Sequence, residues 1–414
     1  MGVGKTVCAL TIIKEANMPT LIVAPKLIAE TVWIQEARKW EHLSTLKISL
    51  IAGSPATRST VLNNPTDIVV IGIDNFPWLV DQFEKKPWPF KMLVLDESSR
   101  WKDPSTVRFK ALKKVIRNTS RRIIMTGTPT PNGLQDIWAQ VAILDLGDRL
   151  GKSLTAFRNT YLIPDKMNPH TRIVYKWKAK PGAQEIVEKK IADICYSLRA
   201  EDYLEMPRRN DIEHSIPWDN KSQYDQMLKD MVLDYDGETF TAQTAATLVN
   251  KLLQMTGGSL YNQEGESIDL SEEKLRFTQT MLEDFADPAI IFYHYKASLR
   301  KLQANLPEAQ TYSPEILDDW RVGKVKILLL HPQSAGLGLN LQCNVGNLAH
   351  IMWYDLPWSS ELYLQANARI YRQGQEKPVM IHHLMMEGSI DQKVLAVLQG
   401  KITLQDALIK ELSL

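Results

Sequence analysis

The residues with chemical reach in this chain fall into groups spread from one end to the other. Gly2, Gly4, Lys5 and Thr6 open it, in the string GVGKT, and lead into the helix-patterned run 7–15. A loop that cradles phosphate needs glycines so that backbone N–H groups can surround the anion. It also needs a lysine for the outer phosphates and a Ser or Thr hydroxyl for magnesium. A helix starting there adds the partial positive charge of its N-terminus. A glycine turn ahead of a helix accounts for the same residues, so GKT alone has two readings. The full GxxxxGK(S/T) pattern would begin before Met1, and the strand expected ahead of it is absent from the sequence. The expectation is therefore a chain that lacks its extreme N-terminus.

A second group follows an apolar run. LVLDESS places Asp96 and Glu97 at the end of an expected strand, where an aspartate can hold magnesium and a glutamate can orient and deprotonate water. Two carboxylates capping the next helix is the structural alternative, weakened because GKT precedes them in one α/β unit. The third group, MTGTPTPNG, has Thr126, Gly127 and Thr128 in a small, hydroxyl-rich turn after a strand. Such a turn can sense phosphate-site geometry, and it also suits a helix N-cap with proline near the first position. The fourth is QANARIYRQGQ, in which Arg369 and Arg372 lie three apart and are expected to share one helix face. An arginine reaching a γ-phosphate stabilises transition-state charge, whereas a solvated basic helix is the plainer reading. Ahead of it, SAGLGLNL offers the glycines at 336 and 338 for close backbone approach and Asn340 as both donor and acceptor.

The elements that must position these groups read as strands alternating with helices. Apolar runs at 21–24 (LIVA), 68–73 (IVVIGI), 92–96 (MLVLD) and 122–126 (RIIMT) are short and bounded by Pro, Gly, Asp or Thr. Between them lie helical stretches such as 29–40, with Trp33, Ala37 and Trp40 on one face. Similar runs return at 289–293, 326–330, 350–354 and 379–384. Alternation with near-continuous apolar strands predicts parallel sheets covered on both faces. The segment 146–209 reads as helical and basic with a polar stretch at 164–180. The segment 221–285 reads as largely helical, with a turn at Gly257 and Gly258. Two domains are expected, 1–206 and 207–414, with helical insertions near 146–206 and 221–285.

Composition bounds the rest. A chain of 414 residues suits two domains, and 44% hydrophobic with 23% charged residues is ordinary for a globular protein. With 49 basic against 48 acidic residues, any nucleic-acid site must be a local groove. Cys8, Cys195 and Cys343 form no CxxC pair, which argues against structural zinc and suits a reducing compartment. No 18-residue apolar run is present, so the expectation is a soluble, cytoplasmic protein with no membrane contact. Most of the eleven tryptophans, Trp101, Trp138, Trp177 and Trp358 among them, are expected in cores. In the strand at 379–384, His382 and His383 should face opposite sides.

In order, GVGKT, PKLIAETVWIQEARKW, DESSRWKD, MTGTPTPN, SAGLGLNL and QANARIYRQGQ resemble the Swi/Snf-type branch of superfamily 2 helicase-like ATPases, and the resemblance covers almost the whole chain. The compact layout looks like versions carried by bacteriophages and mobile elements, which would place the protein in a host cytoplasm. The resemblance implies an α/β fold of two RecA-like lobes with ATP in the cleft between them. By carry-over Gly2, Gly4, Lys5 and Thr6 bind phosphate, and Thr6 and Asp96 bind Mg2+. Glu97 activates water, and Arg369 and Arg372 act from the second lobe. Gln365 and Gly338 belong to the nucleotide side, while Pro25, Thr126, Gly127, Thr128 and Asn340 belong to the nucleic-acid track and its coupling. Duplex DNA held by its phosphate backbone is the implied track, and a replication or recombination factor is a conceivable partner. The family often has His where Ser99 stands, and its adenine-contacting segment would precede Met1. The expected activity is ATP-driven movement on nucleic acid. An inert nucleic-acid-binding module and an ATPase that remodels a protein partner are the alternatives.

Overall fold

The computed structural model describes residues 3–64, 66–130, 133–167, 171–172, 174–198, 204–335 and 339–400. The chain divides into two compact units, 2–202 and 203–414. Each is built on a parallel sheet.

In the first unit the sheet has the order β2-β3-β1-β4-β5, from β1 (Thr20–Ala24), β2 (Ile48–Ile51), β3 (Ile68–Gly72), β4 (Met92–Asp96) and β5 (Arg121–Met125), all parallel. Alternation sorts the apolar residues onto two faces. Leu21, Val23, Val69, Ile71, Leu93 and Leu95 share one core with α4 (Phe76–Gln82), α5 (Val107–Val115), α6 (Gln135–Asp145), α7 (Leu154–Tyr161) and α8 (Ala183–Ile191). Ile22, Ala24, Ile68, Val70, Met92 and Val94 share the other with α1 (Lys5–Ala16) and α2 (Trp33–Lys39). A further helix, α3 (Pro55–Asn63), buries no residue; Ser54 caps it, accepting from the Thr57 amide. Covering both faces is why β1, β3 and β4 are buried along their whole length.

The second unit has a six-stranded parallel sheet in the order β14-β15-β13-β16-β17-β8. Its strands are β8 (Arg209–Ile216), β13 (Ala289–Phe292), β14 (Ala309–Thr311), β15 (Ile327–Leu330), β16 (Ala349–Trp353) and β17 (Val379–Met386). One face packs Ile290, Phe292, Leu328, Leu330, Ile351 and Trp353 against the helices Ala245–Thr256, Ser360–Asn367 and Ile390–Leu398. The other packs Ile291, Leu329, Met352 and Leu384 against Glu273–Glu283 and Lys296–Asn305. The α/β, RecA-like class expected from the sequence is the class observed.

Three local expectations are corrected. The segments read as helical carry antiparallel hairpins: β6 (Leu162–Met167) with β7 (Val174–Ala179), β9 (Val232–Tyr235) with β10 (Glu238–Thr241), and β11 (Ser259–Tyr261) with β12 (Ser267–Asp269). In β7 the string VYKWKA alternates with a period of two, which suits a half-buried strand rather than a helix. Next, α2 stops at Lys39, so Trp40 takes extended backbone and is exposed rather than sharing the face of Trp33. Finally, Arg369 and Arg372 do not share a helix face. The helix Ser360–Asn367 ends first, and the chain continues through tighter bonds, the amides of Arg369 and Ile370 donating to the carbonyls of Ala366 and Asn367. Gly257 and Gly258 do form a turn, and Trp33, Trp88, Trp101, Trp138, Trp320 and Trp353 are buried.

Candidate nucleotide site

In the first unit Pro25, Asp96, Glu97 and the TGTP turn stand at or just after the ends of β1, β4 and β5, and Gly4, Lys5 and Thr6 stand at the start of α1. Gly4 adopts φ 72°, a left-handed conformation open to glycine at little cost, and α1 begins at the next residue. No side chain caps that start, so the helix presents its first-turn amides and their partial positive charge. Lys5 and Thr6, both half-buried, are the first two residues of α1. Gly2 lies outside the described residues.

Asp96 closes β4 and is buried. Its carboxylate is oriented twice: Oδ1 accepts the Glu97 amide at 3.0 Å, and Oδ2 accepts the indole N–H of Trp33 at 3.3 Å. Glu97 sits in the left-handed region at φ 53° and ψ 60°, a costly conformation for a glutamate that turns the chain sharply at the sheet edge. The turn redirects the backbone into the short 3-10 segment Ser98–Trp101, whose Ser98, Ser99 and Trp101 are buried.

Asp96 is paired across the sheet with Met125, so the TGTP turn leaves β5 beside the acidic pair. Within that turn the Thr128 amide donates to Thr126 Oγ1 at 3.1 Å, while Gly127 is exposed. Pro25 follows β1 and is buried, and its carbonyl accepts the Ala29 amide at 2.9 Å to start the helical segment leading to Trp33. A buried carboxylate, a glycine-started helix and a strained glutamate thus belong to one α/β unit. The donor set suits a hard divalent ion, which prefers oxygen ligands. Magnesium fits the residues present.

In the second unit the glycines Gly336 and Gly338 lie outside the described residues. Leu341 donates its amide to the Arg369 carbonyl at 3.3 Å, and Gln342 Nε2 to the Gln373 carbonyl at 3.3 Å. These bonds bring the end of the SAGLGLNL segment against the arginine turn. Asn340 is exposed, and its Oδ1 accepts the Gln342 amide. Gln365 is buried and donates to Glu361 at 3.2 Å, while Arg369 and Arg372 are half-buried. The helix ahead of them is anchored through Asn367, whose Oδ1 accepts the Trp353 indole N–H at 3.1 Å.

Two participants escaped sequence reasoning. Trp33 was legible as a motif residue but not as the partner of Asp96. Gln140, buried in α6, joins Ser98 to the TGTP turn, and its one sequence signal is an amide within the apolar string IWAQVAIL. His382 and His383 face opposite sides of β17 as alternation requires. His382 hydrogen-bonds His214 and His350 at 3.0 and 3.1 Å, and His383 meets the Tyr363 hydroxyl at 2.8 Å. Burial and the neighbouring rings push His382 down to about 3, and burial holds His383 at about 4. Among the described residues no helix is long and apolar enough to cross a membrane.

Comparison with known proteins gives these residues their context. A family profile described as SNF2-related domain matches residues 1–230, and one described as helicase conserved C-terminal domain matches residues 273–374. "Putative protein p41" of Acyrthosiphon pisum secondary endosymbiont phage 1 is 30% identical over 433 residues, covering 99% of this chain and 93% of that protein. DNA repair and recombination protein RDH54 of Saccharomyces cerevisiae is 25% identical, covering 95% of this chain and 49% of its own length. DNA repair and recombination protein RAD54B of Mus musculus is 23% identical, covering 95% and 51%. The chain spans about half the length of these yeast and mouse relatives. The solved structure titled "Sulfolobus solfataricus SWI2/SNF2 ATPase core in complex with dsDNA" is 20% identical with a TM-score of 0.41, covering 100% of this chain and 89% of that one. Since the SNF2-related profile spans more than half of its length, and the helicase C-terminal profile follows in order, this chain belongs to the SNF2-related family, the Swi/Snf-type branch of superfamily 2 helicase-like ATPases.

Proposed function

We propose that this protein is a DNA-dependent ATPase that uses hydrolysis to move along duplex DNA. The observation that supports it most is the arrangement around Asp96: a buried carboxylate at a central strand end, held by Trp33 and by the amide of a conformationally strained Glu97. A purely structural acidic pair needs neither the strain nor the indole donor. DNA is proposed as the track because the yeast and mouse relatives are named DNA repair and recombination proteins.

In this reading the Gly4 turn and the first amides of α1 bind the triphosphate, with Lys5 neutralising its outer phosphates. Thr6 and Asp96 would hold Mg2+, which supplies charge neutralisation and Lewis acidity at the phosphates. Glu97 orients the attacking water and accepts its proton. Arg369 and Arg372 contribute positive charge to the transferring phosphoryl group, and Gln365 and Gly338 contribute to the nucleotide side. Pro25, Asn340 and the TGTP turn link turnover to grip on phosphates of the track. The boundary between the ATP-binding half and the helicase C-terminal half is proposed near 206.

The test is ATP turnover measured in parallel with duplex DNA, single-stranded DNA and RNA. Duplex DNA should give the largest stimulation. Equal rates with and without every nucleic acid would reject the track, and no turnover in any arm would leave an inert binding module instead.

A further inference from the structure

Ser98 and Gln140 are 42 residues apart, yet Ser98 Oγ donates to Gln140 Oε1 at 2.7 Å in a site closed to solvent. Gln140 Nε2 in turn donates to two carbonyls, Pro129 at 2.5 Å and Asp136 at 2.9 Å. Each polar atom of this amide is thus engaged. Gln140 stands in α6 between Ala139 and Val141, all three buried, at a position where an apolar side chain would pack without any need for partners. What the amide adds is a grip on the TGTP turn, whose Gly127 and Pro129 are exposed. A second link runs parallel to it: Lys102, four residues beyond Ser98, approaches Asp136 on the first turn of α6 at 3.7 Å. The start of α6 is therefore fastened to the segment that follows the acidic pair, and Gln140 extends that fastening to the turn leaving β5.

We propose that the hydrogen-bond chain Ser98–Gln140–Pro129 is a positioning relay that sets the TGTP turn against the acidic pair and carries the response of ATP turnover to nucleic acid. This rests on the ATPase reading above. Gln140 acts through the turn and Ser98 through Gln140. Displacement of the chain at Glu97 and Ser98 is passed to Pro129 through two short bonds, because the amide of Gln140 is held at both its oxygen and its nitrogen.

The experiment uses the full chain with Ser98→Ala, Gln140→Leu and the double variant, following ATP turnover against duplex DNA concentration together with melting temperature. Gln140→Leu keeps the volume and removes the grip, and Ser98→Ala is the milder change should the first fold poorly. The expected result is DNA-stimulated turnover reduced about fivefold or more, with a raised DNA concentration at half-stimulation. KM for ATP should stay within about twofold, and the double variant should be no worse than Gln140→Leu, as for residues acting through one contact. Melting temperatures that fall while the DNA response stays at the wild-type level would overturn the relay and leave Gln140 as packing. Additive losses in the double variant would overturn it as well. A wild-type chain without DNA-stimulated turnover would overturn the relay together with the reading beneath it, whereas a stimulated wild type with unaffected variants overturns the relay alone.

Discussion

The indole N–H of Trp33 donates to Asp96 Oδ2 at 3.3 Å, joining the helix after β1 to the carboxylate at the end of β4. Both residues are buried, so the bond fixes one carboxylate oxygen. Partners of this kind typically cost 10–100-fold in metal affinity or activity when removed. Trp33→Phe should therefore raise the Mg2+ concentration needed for half-maximal turnover by about tenfold or more. A Mg2+ titration of variant and wild type checks it, and superimposable curves would show that Trp33 only fills space.

The roles proposed for Lys5 and Glu97 are separable. Lys5→Ala should abolish the rise in melting temperature that ATP with magnesium gives, because binding to the native state is what produces it. Glu97→Gln should keep that rise while turnover falls by roughly 10²–10⁴, the usual worth of a positioned base. Replacing Glu97 also relieves no strain, since glutamine is no better suited to φ 53°. Thermal melts with and without nucleotide, read beside hydrolysis rates, distinguish the two variants.

In the second unit Lys274 and Asp391 form an ion pair at 3.0 Å with side chains 3% and 1% exposed. Asp391 also accepts from Thr256 Oγ1 and the Met386 amide, and Lys274 donates to the Tyr354 carbonyl. The pair ties two helices to the ends of β16 and β17. Lys274→Met should destabilise this unit by about 3–5 kcal/mol, because it leaves a carboxylate buried without its cation. Changing both members to apolar residues should cost less. Urea unfolding of both variants measures the difference, and a single-variant loss below about 1 kcal/mol would contradict the account.

The histidines on β17 make stability depend on pH. His382 and His383 are held neutral in the folded chain, at about 3 and about 4, whereas an unfolded histidine titrates near 6.5. Below about 6.5 the unfolded state therefore binds more protons, and stability falls as pH drops from there toward 4. Each such histidine contributes up to about 1.4 kcal/mol per pH unit in that window. Urea midpoints should be flat between pH 7 and 8 and decline between pH 6.5 and 5. His382→Gln should make the decline shallower, and an unchanged slope would remove His382 from the explanation.

Much of the fold is legible in the sequence because burial on both faces of a parallel strand leaves a short unbroken apolar run. Ile68–Gly72 and Met92–Asp96 are such runs, and both are fully buried strands. Within the two parallel sheets the overlooked strands are edges. Ile48–Ile51 carries Ser49 and is mostly half-buried, Ala309–Thr311 is only three residues long, and Arg209–Ile216 mixes Arg, Asn, Asp, Glu and His with its apolar residues. An edge strand needs one partner and little burial, so its composition carries little signal. The site follows the same rule. Motif strings locate Lys5, Asp96, Glu97 and Arg369, but the bonds from Trp33 and Gln140 depend on side chains meeting across 63 and 42 residues. The arginine spacing suggested a helix face because 3.6 periodicity ignores where the helix stops, and it stops when Asn367 turns its side chain to Trp353.

The proposed function gives Lys5 and Arg369 roles in a single hydrolysis reaction. It is tested most directly by duplex-stimulated ATP turnover of Lys5→Ala, Arg369→Ala and the combined variant, each verified as folded. Residues of one catalytic unit are strongly non-additive, so each single change should reduce turnover by about 10³ or more and the combination should be no slower than the worse single variant. An Arg369→Ala chain that hydrolyses ATP at the wild-type rate would contradict the account.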